Sequence, residues 1–163
     1  MNKWDEKARH YNRYSNEKNR FEHDILEKVQ NEGITFHNKR VLDIGCGTGV
    51  YTLHIAKDAL HVDALDSSYE MLQVLEEDAK ANGIHSVQTH HNDWDNYKLP
   101  ELAYDVALCT MSPAINDEKQ IQKMHECSAT KIYLGWAGKR DSKILNTIFQ
   151  AHGQNYQAPN GSL

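Results

Sequence analysis

One stretch limits the folds open to this chain more than any other. Val41-Leu42-Asp43-Ile44-Gly45-Cys46-Gly47-Thr48-Gly49-Val50 is an apolar run that ends in three glycines at alternate positions. The run predicts a short buried strand over Arg40 to Ile44, and a helix through about Lys57 follows the glycines. Glycine at the exit of a strand lets the backbone turn sharply and lets a ligand lie against it with no Cβ between them. The free N–H groups at the start of the next helix favour polar or anionic ligand groups.

The pattern after that turn alternates. Leu60 to Leu65 predicts a second strand and Ser68 to Asn82 a helix, with Met71, Leu72, Leu75 and Ala79 on one face and Gly83 at its end. Ser86 to His90 is a weaker third strand and Tyr104 to Thr110 a strongly apolar fourth. Asp117 to Cys127 reads as a helix, Lys131 to Trp136 as a fifth strand, and Ser142 to Ala151 as a last helix. Strands alternating with helices predict an α/β fold, a three-layer sandwich around a mostly parallel sheet. Ligands in such folds bind at the carboxyl ends of the strands, where the strand order reverses.

Before the alternation, Trp4 to Glu32 predicts one or two helices. Trp4, Ala8 and Tyr11 share one helical stripe and Phe21, Ile25 and Val29 another, with a break at Ser15 to Asn19 and a stop at Gly33. The expected organisation is a single domain, with residues 1–36 as an N-terminal helical lid and 37–163 as the ligand-binding core.

Spacing separates two cofactor classes. A dinucleotide turn, G-x-G-x-x-G, would place its third glycine at position 50, which is Val50; the glycine falls one residue earlier, at Gly49. The run instead resembles the first motif of class I S-adenosylmethionine (SAM)-dependent methyltransferases, a Rossmann-like family. That motif is an apolar strand, an acid, and then x-G-x-G-x-G. Asp43, Gly45, Gly47 and Gly49 match it. The resemblance implies that Asp43 and the turn contact the methionine end of SAM. Asp66 closes the second strand about twenty positions later, where the family carries an acid for the ribose diol. Ser67 stands where the family borders the adenine. Asp93 matches an acid that accepts from the adenine amino group, and Trp94 is placed to pack on the ring. Tyr104-Asp105 opens a strand like the family's fourth, which puts Thr110 to Pro113 at the methyl-transfer site. The cofactor-binding set implied by the resemblance is Asp43, Gly45, Gly47, Gly49, Asp66, Ser67, Asp93, Trp94 and Thr110.

The chain departs from the family twice. Thr110-Met111-Ser112-Pro113-Ala114 lacks the amide or acid that amino-directed members use to hold an amino group. The family's sheet has seven strands, and His152 to Leu163 is too short and turn-rich for the last two. The expectation is a truncated form, or an open edge covered by a second copy in a homodimer.

The implied function is transfer of a methyl group from SAM to a small-molecule acceptor that the sequence does not name. No residue is assigned the chemistry; Tyr11 is the candidate base or hydrogen-bond donor, and Trp4, Tyr11 and Tyr14 are expected over the cofactor. The alternatives are an RNA or protein methyltransferase with the same cofactor site, or a SAM-binding protein without activity. A nicotinamide enzyme ranks behind these. The net charge of −5 argues against a nucleic-acid substrate. No metal site is expected, because Cys46, Cys109 and Cys127 are scattered and His90 and His91 cannot share a strand face. The charged N-terminus, Met1 to Arg9, and the absence of long apolar runs give a cytoplasmic protein with no membrane partner as the expectation.

Overall fold

The structure is a computed structural model and describes residues 3–100, 104–135 and 143–154. Met1, Trp136, the Lys139–Arg140 pair, Ser142, and Pro159 and Gly161 lie outside the described residues.

Five strands, β1 (Arg40–Ile44), β2 (His61–Asp66), β3 (Val87–His91), β4 (Tyr104–Thr110) and β5 (Ser128–Leu134), form one sheet. Their order is β3-β2-β1-β4-β5 and every neighbouring pair is parallel. The direction of strand addition reverses between β1 and β4. Side-chain alternation explains why β1 and β4 carry apolar residues towards both faces of the sheet. Val41 packs with Val62, Val106 and Leu108 on one face, while Leu42 and Ile44 pack with Leu65, Ala107 and Cys109 on the other.

Helices cover both faces. On the first lie α2 (Phe21–Asn31), α3 (Thr52–Ala56) and α4 (Tyr69–Ala81). On the second lies α5 (Glu118–Cys127), through Met124 and Cys127. Ser68 caps α4 by accepting from Met71 N at 3.3 Å, and Asp117 caps α5 by accepting from Gln120 N at 2.8 Å. The remaining helices are α1 (Lys3–Ala8) and α6 (Lys143–Ala151).

β5 begins at Ser128, three residues before the sequence suggests, and directly after α5. Ser-Ala-Thr carries no strand pattern of its own. Its pairing partner decides: Ser128 stands opposite Tyr104 and Thr130 opposite Val106 in the ladder with β4. Among the described residues β5 is an edge of the sheet, and no sixth strand follows it.

Residues 1–36, expected to act as one helical lid, divide where they are described. Helix α2 adds Ile25, Leu26 and Val29 to the core around Phe36, Val41 and Tyr51. Phe21, expected on that apolar stripe, opens the helix and is 57% exposed. Helix α1 lies instead against α4. Between α1 and α2 the chain crosses the domain as a strap. Thr48 Oγ1 donates to the Asn12 carbonyl, and Arg13 pairs with Asp78 at 2.7 Å and Glu77 at 3.1 Å. The three cysteines are free and buried. Among the described residues, no helix is long and apolar enough to cross a membrane.

Candidate active site at the carboxyl ends of β1, β2 and β4

The glycine turn is clasped to the end of β2. Gly45 N and Cys46 N both donate to the Leu65 carbonyl, at 2.8 and 3.0 Å. Gly47 N donates to Asp66 Oδ2 at 2.8 Å, and Ser68 N donates to Asp66 Oδ1 at 2.8 Å. Each carboxylate oxygen therefore accepts from a backbone N–H, and the carboxylate keeps acceptor capacity for a further donor. Burial raises the pKa of Asp66 above the usual carboxylate value; the N–H bonds from Ser68, Gly47 and Ser67 oppose this, and the charge of Asp5 adds to it.

The three glycines differ in what a Cβ would meet. A Cβ on Gly45 would lie 2.0 Å from Ser112 Oγ, so this glycine lets the loop after β4 close onto the turn. A Cβ on Gly49 would lie 2.5 Å from Leu75 Cγ, so this one lets α4 pack against the turn. A Cβ on Gly47 would meet open space.

A cavity of about 470 Å³ opens above the turn. The turn contributes Gly45, Cys46, Gly47 and Thr48, and the end of β2 contributes Asp66 and Ser67. The loop after β3 adds Asn92, Asp93, Trp94 and Asp95. The loop after β4 adds Thr110, Met111, Ser112 and Pro113. Lys3, Trp4 and Tyr11 close it from the N-terminal side, and Met71 reaches it from α4. Trp4 and Tyr11 meet edge to face, with ring centroids 6.4 Å apart.

Most of the residues singled out from the sequence thus converge: Gly45, Gly47, Asp66, Ser67, Asp93, Trp94, Thr110 and Tyr11 all line the cavity. Three sit elsewhere. Asp43 is fully buried behind the turn, where Thr52 Oγ1 donates to its Oδ2 at 2.6 Å and its Oδ1 has no partner. Burial pushes its pKa up to about 7, against the Thr52 bond and with the charge of Asp66. Strand alternation accounts for this placement, since Asp43 points opposite to Leu42 and Ile44. Gly49 stands against Leu75. Tyr14 is buried over His54, with ring centroids 4.6 Å apart, and packs in the core.

Asp93 is exposed, and Asn96 donates to it from both its backbone and its side-chain amide, which lowers its pKa. Trp94 is 2% exposed; its Nε1 donates to the Gln120 carbonyl at 3.0 Å, and the Lys123 ammonium sits 4.4 Å from its ring centroid. It meets the cavity as a fixed wall. Two lining residues, Asn116 and Gln120, gave no signal in the sequence. Met111 has a left-handed backbone (φ 50°), held by donation from its N–H to the Leu134 carbonyl at 2.6 Å. A non-glycine residue held there marks a turn fixed by its surroundings. Among the described residues there is no group of three or more His, Cys, Asp or Glu side chains that could hold a metal ion.

Comparison with known proteins converges on the same region. A family model described as a methyltransferase domain matches residues 41–130. A malonyl-[acyl-carrier protein] O-methyltransferase of Bacillus anthracis is 26% identical over 146 residues, which is 86% of this chain and 53% of that protein. A SAM-dependent methyltransferase from Aquifex aeolicus superposes with a TM-score of 0.66 at 20% identity, covering 85% of this chain and 76% of that one. Coclaurine N-methyltransferase, solved with N-methylheliamine and SAH, superposes with a TM-score of 0.57 at 24% identity, covering 71% of this chain and 36% of that one. The chain spans about half the length of the curated relatives it matches.

Proposed function

The chain belongs to the class I SAM-dependent methyltransferase family, and from that premise we propose that it moves a methyl group from SAM to a small-molecule acceptor. The observation that carries this reading is the Asp66 carboxylate: it is fixed by two backbone N–H groups and borders the cavity beside a glycine with open space at its Cβ position. A ribose diol needs such a pair of acceptor oxygens.

In this reading Asp66 holds the ribose, Gly45 and Gly47 offer bare backbone to the cofactor, and Ser67, Asp93 and Trp94 border its base. Thr110 stands near the transferring methyl. Asp43 and Gly49 support the turn from behind rather than touching the ligand. SAM supplies a methyl group activated by a sulfonium, so the work of the protein is positioning and exclusion of water. Trp4 and Tyr11 cover the mouth, with α1 and the strap after it acting as the lid. Tyr11 is the candidate to take a proton from the acceptor or donate a hydrogen bond to it, and a base is needed only where the acceptor must lose a proton.

The charge of the lining favours a small acceptor over a nucleic acid. Asp66, Asp93 and Asp95 border the cavity against Lys3, and a phosphate backbone would be repelled there. A relative named as a ubiquinone biosynthesis O-methyltransferase, 32% identical over 81 residues, supports an acceptor of small size. Two further parts of the proposal are a cytoplasmic setting, supported by three buried free thiols, and a second copy of the chain over the β5 edge, supported by exposed Tyr133 on that strand.

The test is incubation with methyl-labelled SAM and a panel of small carboxylic acids, phenols and amines, with S-adenosylhomocysteine release as the readout. Labelled product from one class supports the proposal. SAM binding with no transfer to any acceptor would replace it with a binding protein, and transfer to RNA or protein alone would move the acceptor class.

A further inference from the structure

The sequence predicts a helix over Asp117 to Cys127, and nothing in the family reading gives its first turn a role. The structure gives one of its residues an unusual number of partners. Gln120 is 7% exposed and borders the cavity. Its Nε2 donates to both oxygens of Asp95, at 2.9 and 3.0 Å. Its Oε1 accepts from Asn116 N at 2.8 Å. Its carbonyl accepts from Trp94 Nε1 at 3.0 Å, and its N–H donates to the capping carboxylate of Asp117 at 2.8 Å.

The two ends of the side-chain amide thus face different loops. The amino end and the backbone carbonyl hold the loop after β3, with Trp94 and Asp95, which borders the base of the cofactor in the proposed reading. The oxygen end holds the loop after β4 at Asn116, on the side proposed for the acceptor. The assignment of amide oxygen and nitrogen follows from the partners, because a carboxylate only accepts and a backbone N–H only donates. One turn along α5, Lys123 strengthens the first attachment: its Nζ donates to the carbonyls of Trp94, Asp95 (3.2 Å) and Tyr97 (2.7 Å). The second attachment has no such reinforcement from Lys123. Among the described residues, only Gln120 holds hydrogen bonds to both loops from one buried side chain.

We propose that Gln120 is a positioning residue that couples the two halves of the cavity, so that filling the cofactor half orders the loop that faces the acceptor. The proposal rests on the SAM reading above. When a ligand base settles against Trp94 and Asp95, the carboxylate of Asp95 is held in place. The Gln120 amide is then held in place as well, and its oxygen fixes Asn116 N. A buried amide with both ends satisfied transmits position because any rotation would leave a buried donor or acceptor unpaired.

The experiment is hydrogen exchange of the Asn116 amide, with and without saturating S-adenosylhomocysteine, in the full chain and in three variants. In the unaltered protein the ligand should slow exchange at Asn116 by about tenfold, the scale of one buried hydrogen bond made more persistent. Gln120→Leu should still bind S-adenosylhomocysteine, more weakly, and Asn116 exchange should no longer respond to it. Gln120→Glu places two carboxylates together and should also abolish the response. Adding Asp95→Asn to Gln120→Glu restores a donor–acceptor pair with its direction reversed and should bring the response back. That rescue is not expected of a residue that only stabilises the helix. An Asn116 amide that ignores the ligand in the unaltered protein, or responds equally in Gln120→Leu, overturns the coupling. Failure of the unaltered protein to bind S-adenosylhomocysteine at all would overturn the SAM reading itself, a separate outcome seen before any variant is made.

Discussion

Gly47 donates its backbone N–H to the Asp66 carboxylate over 2.8 Å, which ties the middle of the glycine turn to the acid that ends the neighbouring strand. Turn and acid are thereby one unit, although 19 positions separate them in the chain. The arrangement fixes which lone pairs of Asp66 are spent inside the protein and which face the cavity. It also means that backbone and side-chain changes in this unit should have separable effects.

The glycines offer the first separation. Gly49→Ala drives a Cβ to 2.5 Å from Leu75 Cγ at a positive φ of 79°. It should destabilise the fold by about 2–4 kcal/mol, combining overpacking with left-handed strain. Gly47→Ala meets no atom within 4 Å and should cost only about 1–2 kcal/mol, while weakening the cofactor more than Gly49→Ala does. Urea unfolding and cofactor titration of both variants check the ranking, and equal stability losses would contradict it.

Asp43 should make stability depend on pH in the direction opposite to acids held by ion pairs. Its folded pKa is raised by burial to about 7, with Thr52 as its hydrogen-bond donor and Asp66 as the nearby charge. The unfolded value is near the ordinary 3.9. The folded state thus binds the proton more tightly, and the stability it confers is full below about pH 4 and lost as pH rises to about 7. The loss is about 1.4 kcal/mol per unit of the gap at most. Asp43→Asn should flatten this limb in denaturant titrations at pH 5 and pH 8. A wild-type slope that survives the substitution would show that another group is responsible.

The acid limb should belong to His54. Burial, the His23 ring and the Lys57 ammonium lower its pKa to about 4, with Glu22 opposing and Arg20 adding. His23 Nε2 lies 3.1 Å from His54 Nε2, and the Tyr14 ring covers His54. The neutral ring is therefore the folded form, and its contribution is full above about 6.5 and lost as pH falls towards 4. His54→Phe should shrink the stability loss between pH 6.5 and 4.5. An unchanged loss would reject the assignment.

The strap over the turn should open without the core unfolding. Thr48 Oγ1 holds the Asn12 carbonyl, and Thr48→Val removes that donor. A cost of about 1 kcal/mol is expected, with faster proteolytic cleavage between residues 9 and 20 and no change in cleavage within the sheet. Equal cleavage rates in variant and parent would show that the other attachments of the strap, at Arg13, Tyr14 and Asn16, hold it without Thr48.

Much of this architecture was legible in the sequence, and the reasons differ by element. The strands β1 and β4 are buried on both faces, so their apolar runs declared both their position and their ends. The converging residues from Gly45 to Asp93 were legible because the turn and the ends of β2 and β3 are adjacent wherever parallel strands follow one another. Asp43 and Gly49 were harder to place. Their motif is continuous along the chain, but strand alternation and the packing of α4 turn them away from the cavity. The start of β5 was hidden because Ser128 to Thr130 owe their conformation to β4. Gln120 and Lys123 were hidden for another reason: a polar residue on an amphipathic helix reads as solvated until its partners across the fold are known.

The most direct test of the central claim is calorimetric titration of the chain with SAM, repeated on Asp66→Ala after a check that the variant keeps its circular dichroism spectrum. The account predicts micromolar affinity for the parent, where a Kd of about 1 μM corresponds to about −8.2 kcal/mol. It predicts about a hundredfold loss on removing the carboxylate, the scale of one or two charge-assisted hydrogen bonds. A parent that takes up no SAM, or a variant that binds it as tightly as the parent, would contradict the account.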